Sequence, residues 1–123
     1  MKALLLSLSF LLLAPTALSA QAPGDWVLGN YKGGKYWFPG VVESRSGDKI
    51  KVAFDDGTKD TLTLKQVRKY NWRVGTRVDC LWAGGSDWYP GKISKMGKDG
   101  SSISILYDDG GREDTKTGAC RSS

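Results

Sequence analysis

Apolar and polar residues alternate in short runs along this chain, and the runs come in two matching sets. In the first, Val27, Gly29 and Tyr31 alternate with Leu28 and Asn30. In the second, Val78, Cys80 and Trp82 alternate with Asp79 and Leu81. A period of two predicts a half-buried strand in each case. Gly33-Gly34 and Gly84-Gly85 then mark turns, since glycine accepts positive φ. The next strand is expected from Tyr36 in one set and Asp87 in the other, running through Pro39-Gly40 or Pro90-Gly91. Proline lacks a backbone donor, which predicts a sheet edge or a bulge there. Beyond it Val42 and Ile93 point inward. The clearest strands follow the turn clusters at Ser46–Asp48 and Gly97–Gly100. Ile50, Val52 and Phe54 share one face of the first, and Ile103, Ile105 and Tyr107 one face of the second. Asp56-Gly57 and Asp109-Gly110 are hairpin signals. The returning strands carry Thr61–Leu64 and Asp114–Thr117, and each set closes with a short turn into Val67-Arg68 or Cys120-Arg121. From Gln21 onward the chain has no convincing helical period. The pattern predicts an all-β protein with five short strands per set, and curling each sheet into a small barrel removes most of its edges.

The two sets are copies. Tyr31, Gly33, Gly34, Trp37, Phe38, Pro39 and Gly40 recur as Trp82, Gly84, Gly85, Trp88, Tyr89, Pro90 and Gly91 at a constant offset of 51. After two extra residues in a hairpin, Ile50, Val52, Phe54, Asp55, Asp56, Gly57 and Arg68 recur as Ile103, Ile105, Tyr107, Asp108, Asp109, Gly110 and Arg121 at an offset of 53. So ordered a match is a duplication. It divides the chain into lobes at 21–70 and 71–123. Lobes of about 50 residues bury a low fraction of their surface and are marginal alone. The join Lys69-Tyr70-Asn71-Trp72-Arg73 is short and carries two aromatics, so it is expected to dock and hold the lobes in fixed relation.

Residues 1–20 read differently. Lys2, an apolar run from Ala3 to Leu13, Pro15 and small residues up to Ala20 have the form of a secretory signal peptide cleaved after Ala20. The run is shorter than the ~20 apolar residues that span a bilayer. A secreted or periplasmic location is therefore expected, with no membrane span after cleavage. In an oxidising compartment Cys80 and Cys120 are expected to form a disulfide. Cys80 stands where the first copy has Gly29, and Cys120 where it has Val67. Closing that loop contributes up to about 4 kcal/mol on the chain-entropy model. Leu62 and Leu64 are matched by Thr115 and Thr117, so the bond is expected to replace lost apolar packing.

Charge and chemistry narrow the function. Lys and Arg number 18 against 13 Asp and Glu, a net charge of +5, or +4 without Lys2. That is mildly basic and well short of a dedicated nucleic-acid binder. The chain has no histidine, which excludes histidine triads and histidine metal sites. The Asp-Asp pairs of the hairpins alternate faces and do not flank a substrate. No glycine-rich phosphate loop joins a strand to a helix. No catalysis and no cofactor are expected, and one Asp-Asp-Gly turn offers too few oxygens for a dedicated calcium site.

The ordered set of an aromatic, Gly-Gly, Trp-Phe/Tyr-Pro-Gly, an Ile/Val strand, Phe/Tyr-Asp-Asp-Gly and Val/Cys-Arg, present twice, resembles the Tudor and Agenet-type branch of the SH3-like barrels as a tandem pair. The resemblance spans about Gly24 to Arg121. It implies a cage of aromatics at one end of each barrel, taking a methylated lysine or arginine with the help of a carboxylate. Position by position, it implies Tyr31, Phe38, Phe54 and Asp56 in the first lobe, and Trp82, Tyr89, Tyr107 and Asp109 in the second. The position two beyond the second aspartate, often aromatic in cage-bearing members, is Thr58 or Gly111, so each cage is expected to lack a wall. The second lobe has the more electron-rich rings and is expected to be the better pocket. The implied partner is a protein or peptide carrying a cationic or methylated side chain.

Two other readings stay open on the residues alone. One is contact with nucleic acid or another anionic polymer such as cell-wall glycan, through Lys32, Lys35, Lys51, Lys65, Arg68, Lys69, Arg73 and Arg77 with Tyr70 or Trp72 stacking. The other is a structural part of the envelope, in which the aromatics simply cap the barrels and the aspartates serve their turns.

Overall fold

The computed structural model describes residues 21–123; the expected export leader lies outside the described residues. Each copy of the sequence pattern folds into five antiparallel strands. The first lobe comprises β1 (Trp26–Gly29), β2 (Phe38–Ser46), β3 (Lys49–Phe54), β4 (Lys59–Thr63) and β5 (Val67–Lys69), in the spatial order β4-β3-β2-β1-β5. The second comprises β6 (Arg77–Leu81), β7 (Trp88–Met96), β8 (Ser102–Tyr107), β9 (Arg112–Lys116) and β10 (Cys120–Arg121), in the order β10-β6-β7-β8-β9. Val27, Val42, Ile50, Val52, Phe54, Leu62 and Val67 come from all five strands of the first lobe and form one buried cluster. Side chains from the two outermost strands can meet in one core only if the sheet curls on itself, so each lobe is a small barrel.

The bend that curls the sheet falls at the same place in both copies. A bulge interrupts the β2–β3 ladder between Val42 and Ser44, and the β7–β8 ladder between Ile93 and Lys95. An extra residue in one strand increases local twist. The prolines do not mark these bulges. Pro39 pairs with Leu28 inside the sheet, and its carbonyl accepts the Asp55 N–H at 2.9 Å, just past the end of β3. The missing donor therefore falls where the ladder has already stopped.

Tyr31 and Trp82 do not extend the first strand of their lobes. Each opens a one-turn 3-10 helix, Tyr31–Gly33 or Trp82–Gly84, whose second residue is left-handed: Lys32 at φ 56° and Ala83 at φ 52°. Gly33 and Gly84 follow at positive φ, so the turn reverses within two residues.

The lobes share a core. Leu28 lies on the outer face of β1, yet it is fully buried, packed with Val78, Ile93, Ile105 and the other apolar residues of the second lobe. Trp72, from the join, sits in the same cluster at 5% exposure and donates its Nε1–H to Ser122 Oγ at 3.2 Å. Trp37 and Ser122 exchange backbone hydrogen bonds of 2.7 and 2.9 Å across the joint. Thr117, fully buried, donates to Asp55 Oδ2 at 2.6 Å. The Arg121 guanidinium lies between the rings of Tyr36 and Trp88, at 3.5 and 4.0 Å from their centroids. The same arginine–tryptophan stack recurs within the first copy as Arg68 over Trp37 at 4.0 Å.

Cys80 and Cys120 face one another on β6 and β10 and are joined as a disulfide, with both residues buried. In the first lobe a side chain at Gly29, the residue matching Cys80, would come within 2.9 Å of Leu62 Cδ1 and 2.8 Å of Phe54 Cε1. Leu62 thus fills in one lobe the space that the cystine fills in the other.

Candidate functional site

The last residue of β3 and the start of β2 meet the Tyr31 turn at one end of the first barrel. A hollow of about 260 Å³ opens there, lined by Tyr31, Phe38, Phe54, Asp56, Thr58, Lys59 and Asp60. At the corresponding end of the second barrel Trp82, Tyr89, Tyr107, Asp109 and Gly111 line a hollow of about 210 Å³. All eight residues singled out in the sequence are brought together, four to each lobe, and Thr58 and Gly111 stand at the wall expected to be weak. The first hollow is the larger of the two.

The rings are arranged as floor and walls. Phe54 and Tyr107 end inward-facing strands and are buried, while Tyr31, Trp82 and Tyr89 are nearly half exposed. In the second lobe the Trp82 and Tyr107 centroids lie 5.6 Å apart with planes at 72°, and those of Tyr89 and Tyr107 lie 6.5 Å apart at 86°. Rings set nearly perpendicular line different sides of a space and do not stack shut. Large apolar side chains left this exposed around a shared concavity are the feature that calls for a ligand.

The aspartates serve their turns and still reach the rim. Asp56 Oδ1 accepts from Thr58 N–H at 2.9 Å and Thr58 Oγ at 2.7 Å, and Asp109 Oδ1 accepts from Gly111 N–H at 2.8 Å. The second carboxylate oxygen of each has no protein donor among the described residues. A Cβ at Gly111 would lie 3.1 Å from Asp109 Oδ1, so the absent side chain leaves that edge of the second hollow open.

Sequence reasoning missed Glu113. Its Oε1 accepts from the Tyr107 hydroxyl at 2.7 Å and its Oε2 from the Ala83 N–H at 2.7 Å. One carboxylate thereby ties the floor ring to the turn that carries Trp82. Burial, reinforced by that carboxylate, holds the Tyr107 phenol well above the usual tyrosine range, so it stays a donor. The first lobe holds its turn by other means. Buried Asn30 donates through Nδ2 to the Gly34 and Tyr36 carbonyls, while its own carbonyl accepts from Gln66 Nε2 at 3.2 Å. The signal available in the sequence was the pairing of Tyr107 with Glu113 where the first copy has Phe54 with Asp60.

The structure removes one expectation. Trp72 cannot stack on a nucleobase, because it is buried in the core. Tyr70 packs edge-on against Trp26 at 5.6 Å and tilted against Trp72 at 5.7 Å, and burial together with Asp55 pushes its phenol up to about 12. Of the cations expected to form a polymer-binding face, Arg77 is paired with Asp108 through two hydrogen bonds and Lys51 lies 3.6 Å from Glu43. Among the described residues no cluster of side chains is arranged to hold a metal ion.

The chain is similar in fold to tandem Agenet domains. A tandem pair of Arabidopsis thaliana AGDP1 (AGD34) superimposes with a TM-score of 0.44 and 17% identity, covering 89% of this chain and 86% of that one. The tandem Agenet domains 3-4 of ADCP1 give 0.43 and 17%, covering 89% and 84%. No family model matches the sequence, and no curated protein does. The two hollows are therefore interpreted from their own geometry.

Proposed function

We propose that this protein is a non-catalytic binding module whose Agenet-like hollows take a cationic or methylated lysine or arginine side chain, carried by a protein or peptide. One observation carries the reading: three rings from separate elements, Trp82, Tyr89 and Tyr107, converge on an open hollow with the Asp109 carboxylate at its rim. Ring faces attract a cation by roughly 0.5–2 kcal/mol each, more as water is excluded, and the carboxylate adds charge attraction. The first lobe repeats the arrangement with Tyr31, Phe38, Phe54 and Asp56. Export behind a cleaved leader belongs to the same proposal, and the buried Cys80–Cys120 disulfide supports an oxidising compartment.

The test is a calorimetric titration with a peptide bearing trimethyllysine, run on the wild type and on Trp82→Ala. Trp82 is 47% exposed, so its loss should leave folding intact. Binding that weakens about tenfold in the variant, and persists at raised salt in the wild type, supports the cage. No heat from any methylated or unmethylated cationic peptide would sink it.

A further inference from the structure

The duplication has left the two hollows chemically unlike, although their rings correspond position by position in the two copies. Two carboxylates line the first, Asp56 and Asp60, and each keeps one oxygen without a protein donor among the described residues; Asp60 Oδ1 accepts only the Thr61 N–H, at 2.8 Å. Lys59 also lines it, but its Nζ lies 2.6 Å from Glu43 Oε2. The hydrogen bond from Lys59 holds the Glu43 carboxyl below its ordinary range, so the lysine charge is answered by Glu43. The rings of this hollow are the weaker set. Two of the three are phenylalanines, and Tyr31 already has Lys32 Nζ 5.2 Å from its centroid.

The second hollow inverts this balance. At the place of Asp60 stands Glu113, and both of its oxygens are occupied, by Tyr107 Oη–H and Ala83 N–H. Among the described residues Asp109 is the one carboxylate that lines the space. The rings are tryptophan and two tyrosines, the strongest cation-attracting faces available. A tyrosine whose hydroxyl donates to a carboxylate gains electron density in the ring, so Glu113 strengthens the floor without presenting a bare acceptor.

Resting on the reading of these hollows as cation sites, we propose that the two lobes sort cations by their hydrogen-bond donors. The first takes an ammonium or guanidinium that still carries N–H groups, and Asp60 is the residue that sets this preference. The second takes a quaternary ammonium, such as trimethyllysine or a choline-type headgroup. The chemistry follows from what each cation needs on desolvation. An N–H cation loses hydrogen bonds to water and must recover them from free acceptors; among the described residues the first hollow offers two carboxylate oxygens without a protein donor, on Asp56 and Asp60, and the second offers one, on Asp109. A quaternary ammonium has no donors to satisfy, spreads its charge over its methyl groups and is best held by ring faces.

The experiment is an NMR titration of the isotope-labelled protein with N-acetyl-lysine amide and with N-acetyl-trimethyllysine amide, following the aromatic signals of each hollow separately. The Tyr31, Phe38 and Phe54 signals are expected to favour the unmethylated probe by roughly threefold or more in Kd. Those of Trp82, Tyr89 and Tyr107 are expected to favour the trimethylated one by a similar factor. Asp60→Asn keeps an acceptor for the Thr61 N–H, so it should fold normally and abolish the preference of the first hollow alone. Both hollows ranking the probes alike would overturn the sorting while leaving the cation-site reading in place. An unchanged preference in Asp60→Asn would overturn the role given to Asp60. Silence of all six signals with both probes would overturn the underlying reading as well.

Discussion

Replacing the disulfide with the packing it displaced tests the duplication at its core. Removing Cys80–Cys120 opens a loop of sequence separation 40, which costs about 4 kcal/mol on the chain-entropy model. The first lobe shows what can stand in for it: Leu62 lies against the space over Gly29, with Val67 opposite. Two variants separate the effects. Cys80→Gly with Cys120→Val copies Gly29 and Val67 but leaves Thr115, and it should lose most of the 4 kcal/mol. Adding Thr115→Leu, the counterpart of Leu62, should recover about 1.5–3 kcal/mol, the worth of one fully buried leucine side chain. The assay is urea unfolding followed by tryptophan fluorescence. With a slope of about 1–3 kcal/mol per molar, the double variant should shift the midpoint down by roughly 1–4 M. Because the lobes share the Leu28–Trp72 cluster, one transition is expected in each case. Equal midpoints for the double and triple variants would refute the replacement argument, and an unchanged midpoint in the double variant would refute the stapling itself.

Two further perturbations address the joint and the turns. Gly118 packs so closely on the first lobe that an added Cβ would lie 2.5 Å from the Asp55 carbonyl oxygen, so Gly118→Ala should cost about 1–3 kcal/mol in thermal or urea unfolding. Lys65→Ala, at the matching exposed position, should stay within about 0.5 kcal/mol. Asp99 accepts from Ser102 N–H and Oγ–H, each at 2.8 Å, and from Ser101 N–H at 3.0 Å, which pulls its carboxyl down to about 2. A lowered folded-state value stabilises above the unfolded value near 3.8, and that contribution fades as pH falls toward 2. The stability gap between wild type and Asp99→Asn should thus be constant above about pH 4 and close between pH 4 and 2; a gap that persists at pH 2 would count against the charge as its source.

Much of the barrel was legible because each strand has one face toward a core of its own, and such a strand writes a period of two into the sequence. Ile50-Val52-Phe54 and Ile103-Ile105-Tyr107 are buried at alternate positions, as that period requires. The residues around the hollows were legible for a related reason: they sit at strand ends and turns that the duplication marks twice. Leu28 was not. Alternation with Val27 marks it as the exposed face of a half-buried strand, yet a second lobe covers it, and nothing local encodes a neighbour supplied from fifty residues away. Tyr31 read as the end of a strand because its ring fits the alternation. The strand has already ended at Gly29, and Tyr31 opens a turn that Lys32 and Gly33 complete at positive φ. Glu113 went unnoticed because a carboxylate on an exposed strand is ordinary, and its role depends on a hydroxyl six residues back.

The departures between the copies carry the remaining information. Positions that agree at offsets 51 and 53 build the barrels and their hollows; many of those that disagree build the joint. Leu28, buried against the second lobe, is matched by Asp79, which lies 3.8 Å from Arg121. Trp26, whose ring packs on Tyr70 and over Gly100, is matched by Arg77, ion-paired at the surface with Asp108. Tyr36, stacked on Arg121, is matched by Asp87, and buried Thr117 and close-packed Gly118 by exposed Leu64 and Lys65. A face used on one lobe is therefore answered by a different face on the other, a head-to-tail contact whose equivalent positions elsewhere, Arg77, Asp79 and Asp87 in the second lobe and Leu64 and Lys65 in the first, carry other residues. The same loosening of symmetry let Asp60 and Glu113 diverge beneath otherwise equivalent rings.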